Sequence, residues 1–285
     1  MNEIKKILVA LDLTDIDSTL IEYASFIAEI FKVKKVYFVH NIKKYEISEL
    51  FEDQLSEFNL DEIIGEELNE KVKEKFTSSV EWEVLISDDP YSESLINYVV
   101  DKYGIQLALI GNKNRFKGTG VISGKLLRLL KCNIISIPKN AKPAITNIWA
   151  GTDYSNASKK ALEAAEYLQE MTDAKVKAVH VYNVPIEFSP YIPKEHLDLK
   201  IESHLKEKSK KFIEKIGYKG DLTTEIIPGR DGSIAEQLCR KAEKAKADFF
   251  IVADKGTNTF SSLLVGSVTE DLFNNTLRMP LMIMK

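Results

Sequence analysis

The sequence predicts an α/β protein made of two tandem domains, each with a doubly wound, open parallel sheet. Three observations support this fold class. The chain of 285 residues is long enough for two domains of ordinary size. Its second half repeats the pattern of its first half. The strand-like runs are short, apolar and β-branched, as expected for parallel strands that are buried on both faces.

The internal repeat can be followed along the whole chain. The stretch "KILVALDLTD" at Lys6 aligns with "NIWAGTDYSN" at Asn147, which places Asp12 on Asp153. Further on, "YFVH" and "KAVH" place His40 opposite His180, "LALI" lies over "FFIV", and "KCNIISIPK" matches "RMPLMIMK". Each half therefore reads as four strands alternating with helices, followed by a fifth strand. We predict domains at 1–140 and 144–285, joined by the linker "KNAKPAI", where a proline and short polar residues mark a boundary.

Composition and charge exclude several classes of protein. The formal net charge is −4 and there is no dense Lys/Arg tract, so we expect no nucleic-acid partner. No apolar stretch approaches 18 residues, so we expect no membrane span. The N-terminus has no signal-peptide pattern, and Cys132 and Cys239 read as buried thiols in a reducing compartment. These features predict a cytoplasmic protein.

The second half carries a glycine pattern typical of a phosphate site. A strand ends at Val252, a turn follows at Gly256, and Gly266 and Ser267 open a helix. The first N–H groups of a helix lack intrahelical partners and lie at the positive end of its dipole, so they favour an anion. Glycine allows the backbone to approach that anion closely. The alternative is a helix start without a ligand, and Asp153 could likewise satisfy backbone donors at a helix entry.

At these residues the chain resembles the universal stress protein family, specifically its tandem-domain members. ATP-binding members carry G-x2-G-x9-G-[ST] after the fourth strand, and the second half has Ala253-x2-Gly256-x9-Gly266-Ser267, with alanine replacing the first glycine. The openings "ILVALD" and "IWAGTD" and the turn "EIIPGRDG" are also similar to the family. The resemblance implies a Rossmann-like, adenine nucleotide α-hydrolase-like fold and an ATP site, with or without Mg²⁺. It assigns adenine contacts to Thr152, Asp153 and Val181, and ribose and phosphate contacts to Ala253, Gly256, Gly266, Ser267 and Val268.

The first half departs from this pattern. Its stretch "GNKNRFKGTGVISGK" fails as a Walker A loop, because Thr119 stands where the first glycine is required and Leu126 where the hydroxyl is required. Aligned on the following helix, Gly120 falls on Gly266, Val121 on Ser267, and Asn114 on Gly256, with a loop four residues shorter. We therefore predict that the first domain does not bind ATP in the family manner.

No catalytic constellation is visible in the sequence. The matching histidines, His40 and His180, are predicted to hydrogen-bond locally at strand ends. We interpret the chain as a stress-response or regulatory nucleotide-binding protein. A nucleotide-independent interaction module, a slow ATPase and an adenylating enzyme are the alternatives, although the last would need an S-G-G-x-[DS] loop that neither "LDLTD" nor "TDYSN" supplies. The apolar last strands, "IISIP" and "LMIM", predict an intrachain pseudo-dimer of the two domains, and a homodimer of chains is also open.

Overall fold

The chain divides into two compact units. The structure is a computed structural model that describes residues 3–43, 59–112, 120–183, 194–229, 232–256, 265–274 and 277–285, with 120–123 and 194–198 described as backbone only. The units meet in the sequence at Ala144 and Ile145, at the end of the predicted linker.

The N-terminal domain alternates strands and helices from end to end. Its elements are β1 (Lys6–Leu11), α1 (Ile16–Ile30), β2 (Lys35–Asn41), α2 (Leu60–Lys75), β3 (Glu81–Ser87), α3 (Ser92–Tyr103), β4 (Leu107–Asn112), α4 (Gly120–Leu129) and β5 (Asn133–Pro138). All strand pairs within it are parallel, in the order β3-β2-β1-β4-β5. The order reverses between β1 and β4, as in a doubly wound fold.

The C-terminal domain repeats this arrangement. Its elements are β6 (Asn147–Gly151), α5 (Asn156–Thr172), β7 (Lys175–Tyr182), α6 (Lys194–Ile216), β8 (Leu222–Pro228), α7 (Ile234–Lys244), β9 (Phe249–Ala253), α8 (Ser267–Asn274) and β10 (Leu281–Met284). The parallel order is β8-β7-β6-β9-β10, again with a reversal between the first and fourth strands of the domain. The predicted α/β class with open parallel sheets is confirmed.

The apolar strand runs form the cores of the two sheets. Trp149, Phe249 and Phe250 are almost completely buried on β6 and β9, and Phe38 is equally buried on β2. Burial on both faces explains why these strands read as continuous apolar runs, since helices cover each side of a parallel sheet. This packing fixes the carboxyl ends of β6, β7 and β9, and the residues that follow them lie at the reversal point.

Some helix boundaries are set by side chains that the sequence identifies. Ser155 caps α5, and its Oγ accepts a hydrogen bond from the N–H of Ser158. Within the described ranges, no helix is both long enough and apolar enough to span a bilayer.

Candidate functional site

The C-terminal domain contains a cavity of about 330 Å³ at the carboxyl ends of β6, β7 and β9. Ligands of open α/β sheets bind in this position, where the strand order reverses. All eight residues that the sequence singles out line this one cavity: Thr152, Asp153, Val181, Ala253, Gly256, Gly266, Ser267 and Val268. Although Thr152 and Val268 are 116 positions apart in the sequence, the fold brings all eight together. Their contact with a nucleotide remains a prediction.

The turn from β6 into α5 forms one wall. The backbone N–H of Thr152 continues the ladder by donating to Val179 O (2.9 Å), and the Thr152 hydroxyl then accepts from the N–H of Tyr154 (3.0 Å). The Asp153 carboxylate accepts from the N–H of Ser155 (3.0 Å). Asp153 therefore satisfies a backbone donor at the helix entry, as the alternative interpretation predicts, and it also lines the cavity. The two roles are compatible because a carboxylate has two oxygens.

The glycine turn after β9 forms the opposite wall. A Cβ added to Gly256 would lie 2.9 Å from Asp153 Oδ2, which is closer than packed atoms approach. The backbone of Gly256 therefore passes directly against the Asp153 carboxylate. The N–H of Gly266 donates to Asp254 O (2.7 Å) and closes the loop, of which residues 257–264 lie outside the described ranges.

Helix α8 begins at the mouth of the cavity. Its first intrahelical bond runs from the N–H of Glu270 to Gly266 O (2.9 Å), so Ser267 and Val268 occupy the first turn, where backbone N–H groups are not used by the helix. The buried Thr269 hydroxyl donates to Ala253 O (2.7 Å) and ties this turn to the end of β9. The Ser267 side chain is exposed.

Helix α7 supplies an apolar wall that sequence reasoning missed. Ile234 and Leu238 lie one helical turn apart and line the cavity together with Val181. A capping box fixes the start of this helix: Ser233 Oγ accepts from the N–H of Glu236 (3.2 Å), and the Glu236 carboxylate accepts from the N–H of Ser233 (2.9 Å). The remaining lining residues that the sequence did not single out for the site are Gly151, Ser158, Val179, His180, Val252, Lys255 and Thr269.

His180 hydrogen-bonds locally, as predicted. Its Nδ1 lies 2.8 Å from Thr152 O, and because a carbonyl only accepts, Nδ1 carries the proton. The Tyr154 ring packs on the imidazole with centroids 4.5 Å apart, and Phe212 of α6 packs edge-on against Tyr154. Burial lowers the pKa of His180 below its usual value, and the nearby Lys208 acts in the same direction. His180 is therefore a neutral ring that holds the end of β6.

The equivalent region of the N-terminal domain is built from different side chains. His40 Nδ1 contacts Leu11 O (3.1 Å), which repeats the bond made by His180. Leu11 stands where Thr152 does, however, and Asp17 stands where Ser158 does. The fully buried Asp17 carboxylate accepts from the N–H groups of Asp12 (3.1 Å) and Leu13 (2.9 Å). Burial raises the pKa of Asp17.

Two further contacts distinguish the N-terminal domain from the domain that carries the predicted ATP-binding pattern. The Ile16 side chain packs against Gly111 at the end of β4. A Cβ added to Gly111 would lie only 2.8 Å from Ile16 Cδ1. Lys125, the lysine of the rejected Walker A match, is held by the Glu93 carboxylate (2.5 Å), and this pairing lowers the pKa of Glu93. Asn114 and the rest of the short loop, 113–119, lie outside the described residues, as does the side chain of Val121.

Comparison with known proteins identifies the family. The sequence profile of the universal stress protein family matches residues 144–283. The universal stress protein MJ0531 of Methanocaldococcus jannaschii is 31% identical to this chain over 167 residues, which cover 56% of this chain and 94% of that protein. The chain therefore belongs to the universal stress protein family.

Solved structures share the fold along the full chain. A universal stress protein from Archaeoglobus fulgidus superposes with a TM-score of 0.67 at 18% identity and covers 98% of both chains. A putative universal stress protein from Pseudomonas aeruginosa gives a TM-score of 0.67 at 17% identity, covering 99% of this chain and 93% of its own. At this level of identity the likeness concerns the fold, and both halves of the present chain take part in it.

Proposed function

We propose that the C-terminal domain binds ATP in the cavity at the ends of β6, β7 and β9, and that the protein acts as a cytoplasmic, nucleotide-responsive regulator. The observation that carries this proposal is the convergence of all eight predicted contact residues on one cavity. A volume of about 330 Å³ lies within the usual range for small-molecule sites.

The chemistry of the cavity walls fits the two ends of a nucleotide. Val181, Ile234 and Leu238 offer an apolar surface for the flat adenine ring, with Thr152 and Asp153 as polar partners at its edge. The glycine turn and the first turn of α8 offer backbone N–H groups and the Ser267 hydroxyl to the phosphates. Ala253 stands beside them where ATP-binding relatives have glycine. Lys255 lines the same wall, and its side chain would add a positive charge near the phosphates.

A metal ion would depend on the nucleotide. In the described part of the chain, no group of three or more His, Cys, Asp and Glu side chains is arranged to hold a metal. Mg²⁺ would therefore enter with the phosphates, whose oxygens it prefers, and would keep several of its waters. The pairing of the domains as a pseudo-dimer and a homodimer of chains stay predictions from the sequence.

Calorimetry with Mg-ATP on the full chain tests the proposal. We expect about one site per chain. Ser267→Ala should weaken binding by about tenfold, because a hydrogen bond to a charged group is worth about 1.5 kcal/mol or more. Gly266→Val should abolish binding, because a Cβ there would lie 3.4 Å from Asp254 O and 3.6 Å from Gly256 N, and a branched side chain would push the glycine turn out of position.

The matched control is Gly124→Val, which alters a glycine in the equivalent last helix, α4, of the other domain. A Cβ at Gly124 meets no atom within 4 Å, so the fold should accept it and ATP affinity should not change. A wild-type protein that gives neither binding heat nor a thermal shift with Mg-ATP would refute the proposal and favour a nucleotide-independent interaction module.

A further inference from the structure

The Thr152 and Ser158 hydroxyls form a connected hydrogen-bond chain in the wall of the cavity. Their oxygens lie 3.0 Å apart, and both residues line the cavity, although Ser158 is only 3% exposed and Thr152 9%. The N–H of Tyr154 approaches Thr152 Oγ1 at one end of the chain (3.0 Å), and Ser158 Oγ approaches Ser155 O at the other (3.0 Å).

The direction of this chain follows from its two ends. A carbonyl can only accept, so the single proton of Ser158 is directed to Ser155 O. A backbone N–H can only donate, so Thr152 Oγ1 accepts from Tyr154. The Thr152 proton then points to Ser158 Oγ, which is its remaining partner among the described residues. Thr152 consequently has no proton left to offer, and only a lone pair of its oxygen can meet a ligand.

The neighbouring polar group has the same character. The Asp153 carboxylate also only accepts, and it already takes the N–H of Ser155 on one oxygen. Two adjacent acceptors at one edge of the cavity favour a ligand group that donates hydrogen bonds. They disfavour one that accepts, because a buried acceptor facing another acceptor loses its hydration without a replacement.

The N-terminal domain shows that the fold does not need this hydroxyl pair. There, Leu11 and Asp17 occupy the positions of Thr152 and Ser158, and the Asp17 carboxylate holds the same strand-to-helix turn directly through two backbone N–H groups. The hydroxyl pair is thus present at the turn that lines the C-terminal cavity and is replaced by Leu11 and Asp17 at the equivalent turn. The equivalent N–H of the C-terminal domain, that of Tyr154, is held by Thr152 Oγ1. The pair therefore holds the turn and also places an oxygen in the cavity wall, where the N-terminal domain has Leu11.

We infer that Ser158 is a positioning residue that keeps Thr152 as a hydrogen-bond acceptor, so that the site selects a 6-aminopurine over a 6-oxopurine. The inference rests on the proposed function, in which Thr152 and Asp153 meet the edge of the adenine ring. A 6-amino group donates to both acceptors. A 6-oxo group presents a third acceptor to them.

The experiment compares ATP with ITP, which carries a 6-oxo group, by calorimetry on the full chain. The wild-type protein should prefer ATP by about tenfold or more, as expected when a polar site meets a mismatched group. In Ser158→Ala the Thr152 proton is released and can donate to the oxo group, so the preference should fall to about threefold or less. Ser158→Thr keeps the hydroxyl and should keep the preference.

Two controls exclude a purely structural effect. Because the ATP and ITP affinities are measured on the same protein, their ratio is independent of any loss of folded protein. Thr152→Val removes the acceptor itself and should lower the preference for ATP as Ser158→Ala does. Ser25→Ala removes a buried helical hydroxyl in the other domain, where Ser25 Oγ donates to Ile21 O, and should leave the ratio unchanged.

The possible failures are distinguishable. ATP binding with the same ATP-to-ITP ratio in the wild type and in Ser158→Ala would overturn the role of Ser158 and leave the proposed function standing. An ATP-to-ITP affinity ratio near one in the wild type would also overturn the role of Ser158 and leave the proposed function standing. Binding of neither nucleotide would overturn the proposed function and this inference together.

Discussion

At the scale of single residues, the Asp153 carboxylate leaves no room for a side chain at Gly256, whether or not a ligand is bound. A methyl group there would press on Asp153 Oδ2, and the carboxylate would have to leave the N–H of Ser155. We expect Gly256→Ala to lower the free energy of unfolding by about 1 kcal/mol, the cost of that hydrogen bond. In an Asp153→Ala background the same change should cost less than about 0.5 kcal/mol. Urea unfolding of the four proteins measures this coupling, and equal costs in both backgrounds would disprove the contact.

His180 makes the stability of the C-terminal domain depend on pH. Because burial lowers its pKa in the folded state, the unfolded chain binds the proton more readily. The contribution of the neutral ring is therefore fully present above the unfolded pKa of about 6.5 and decreases as the pH falls below it. His180→Asn keeps a side-chain N–H for Thr152 O but cannot titrate, so its free energy of unfolding should fall less between pH 7.5 and 5. Parallel slopes for the two proteins over this range would contradict the assignment.

The sequence predicts some cavity residues better than others. Glycines and the strand-end Asp153 leave a readable pattern, because their spacing along the chain is fixed by the turn they form. Ile234 and Leu238 do not, since an apolar pair on a helix looks the same whether it faces a core or a cavity. Ser158 was missed because its function lies in a contact with Thr152 across the turn, although the substitution of Asp17 for it in the repeat was a usable signal.

At the scale of elements, α7 links local capping to the site. Its capping box holds the first turn, which carries Ile234, and Leu238 follows one turn later. Ser233→Ala should reduce the free energy of unfolding by about 1 kcal/mol, and it should also weaken ATP binding because the apolar wall loses its fixed position. Thermal unfolding and calorimetry measure the two effects.

The control for this cap is Ser203→Ala, which changes an exposed serine within α6 and should alter neither quantity. Unchanged ATP affinity in Ser233→Ala, together with the expected loss of stability, would show that α7 does not contribute to binding.

The order of the helices and strands could be predicted from the sequence more completely than the positions where they begin and end. Buried parallel strands and amphipathic helices produce strong periodic signals, so the repeating β-α pattern of both halves was predictable. The beginning of α4 was not predictable, because "GTGVISGK" contains several glycines, which weaken the local preference for helix. The structure begins this helix at Gly120 itself, whereas the aligned Gly266 precedes α8.

At the scale of the whole molecule, the two domains share a fold but not the chemistry of their strand ends. Thr152 and Ser158 give the cavity wall of the C-terminal domain two hydroxyls, while Leu11, Ile16 and Asp17 fill the corresponding turn of the N-terminal domain with two apolar side chains and a carboxylate. We therefore expect one nucleotide per chain by calorimetry and by equilibrium dialysis. Two equivalent sites per chain would mean that the N-terminal domain binds ATP despite these substitutions.

The repeat allowed this asymmetry to be predicted from the sequence, but the reason for it required the structure. The alignment showed a shortened glycine loop in the first half, and that loop, 113–119, lies outside the described residues. The contact between Ile16 and Gly111 and the bonds of Asp17 come from positions that show no motif. Such substitutions become meaningful only when the two turns are compared atom by atom.

A crystal structure of the full chain grown with Mg-ATP would show whether the C-terminal cavity binds the nucleotide. We expect electron density for the nucleotide in the C-terminal cavity, with adenine between Val181 and Leu238 and the phosphates against the backbone of Gly266 and Ser267. Density for the nucleotide in the N-terminal domain, or a C-terminal cavity without nucleotide in crystals saturated with it, would contradict the account.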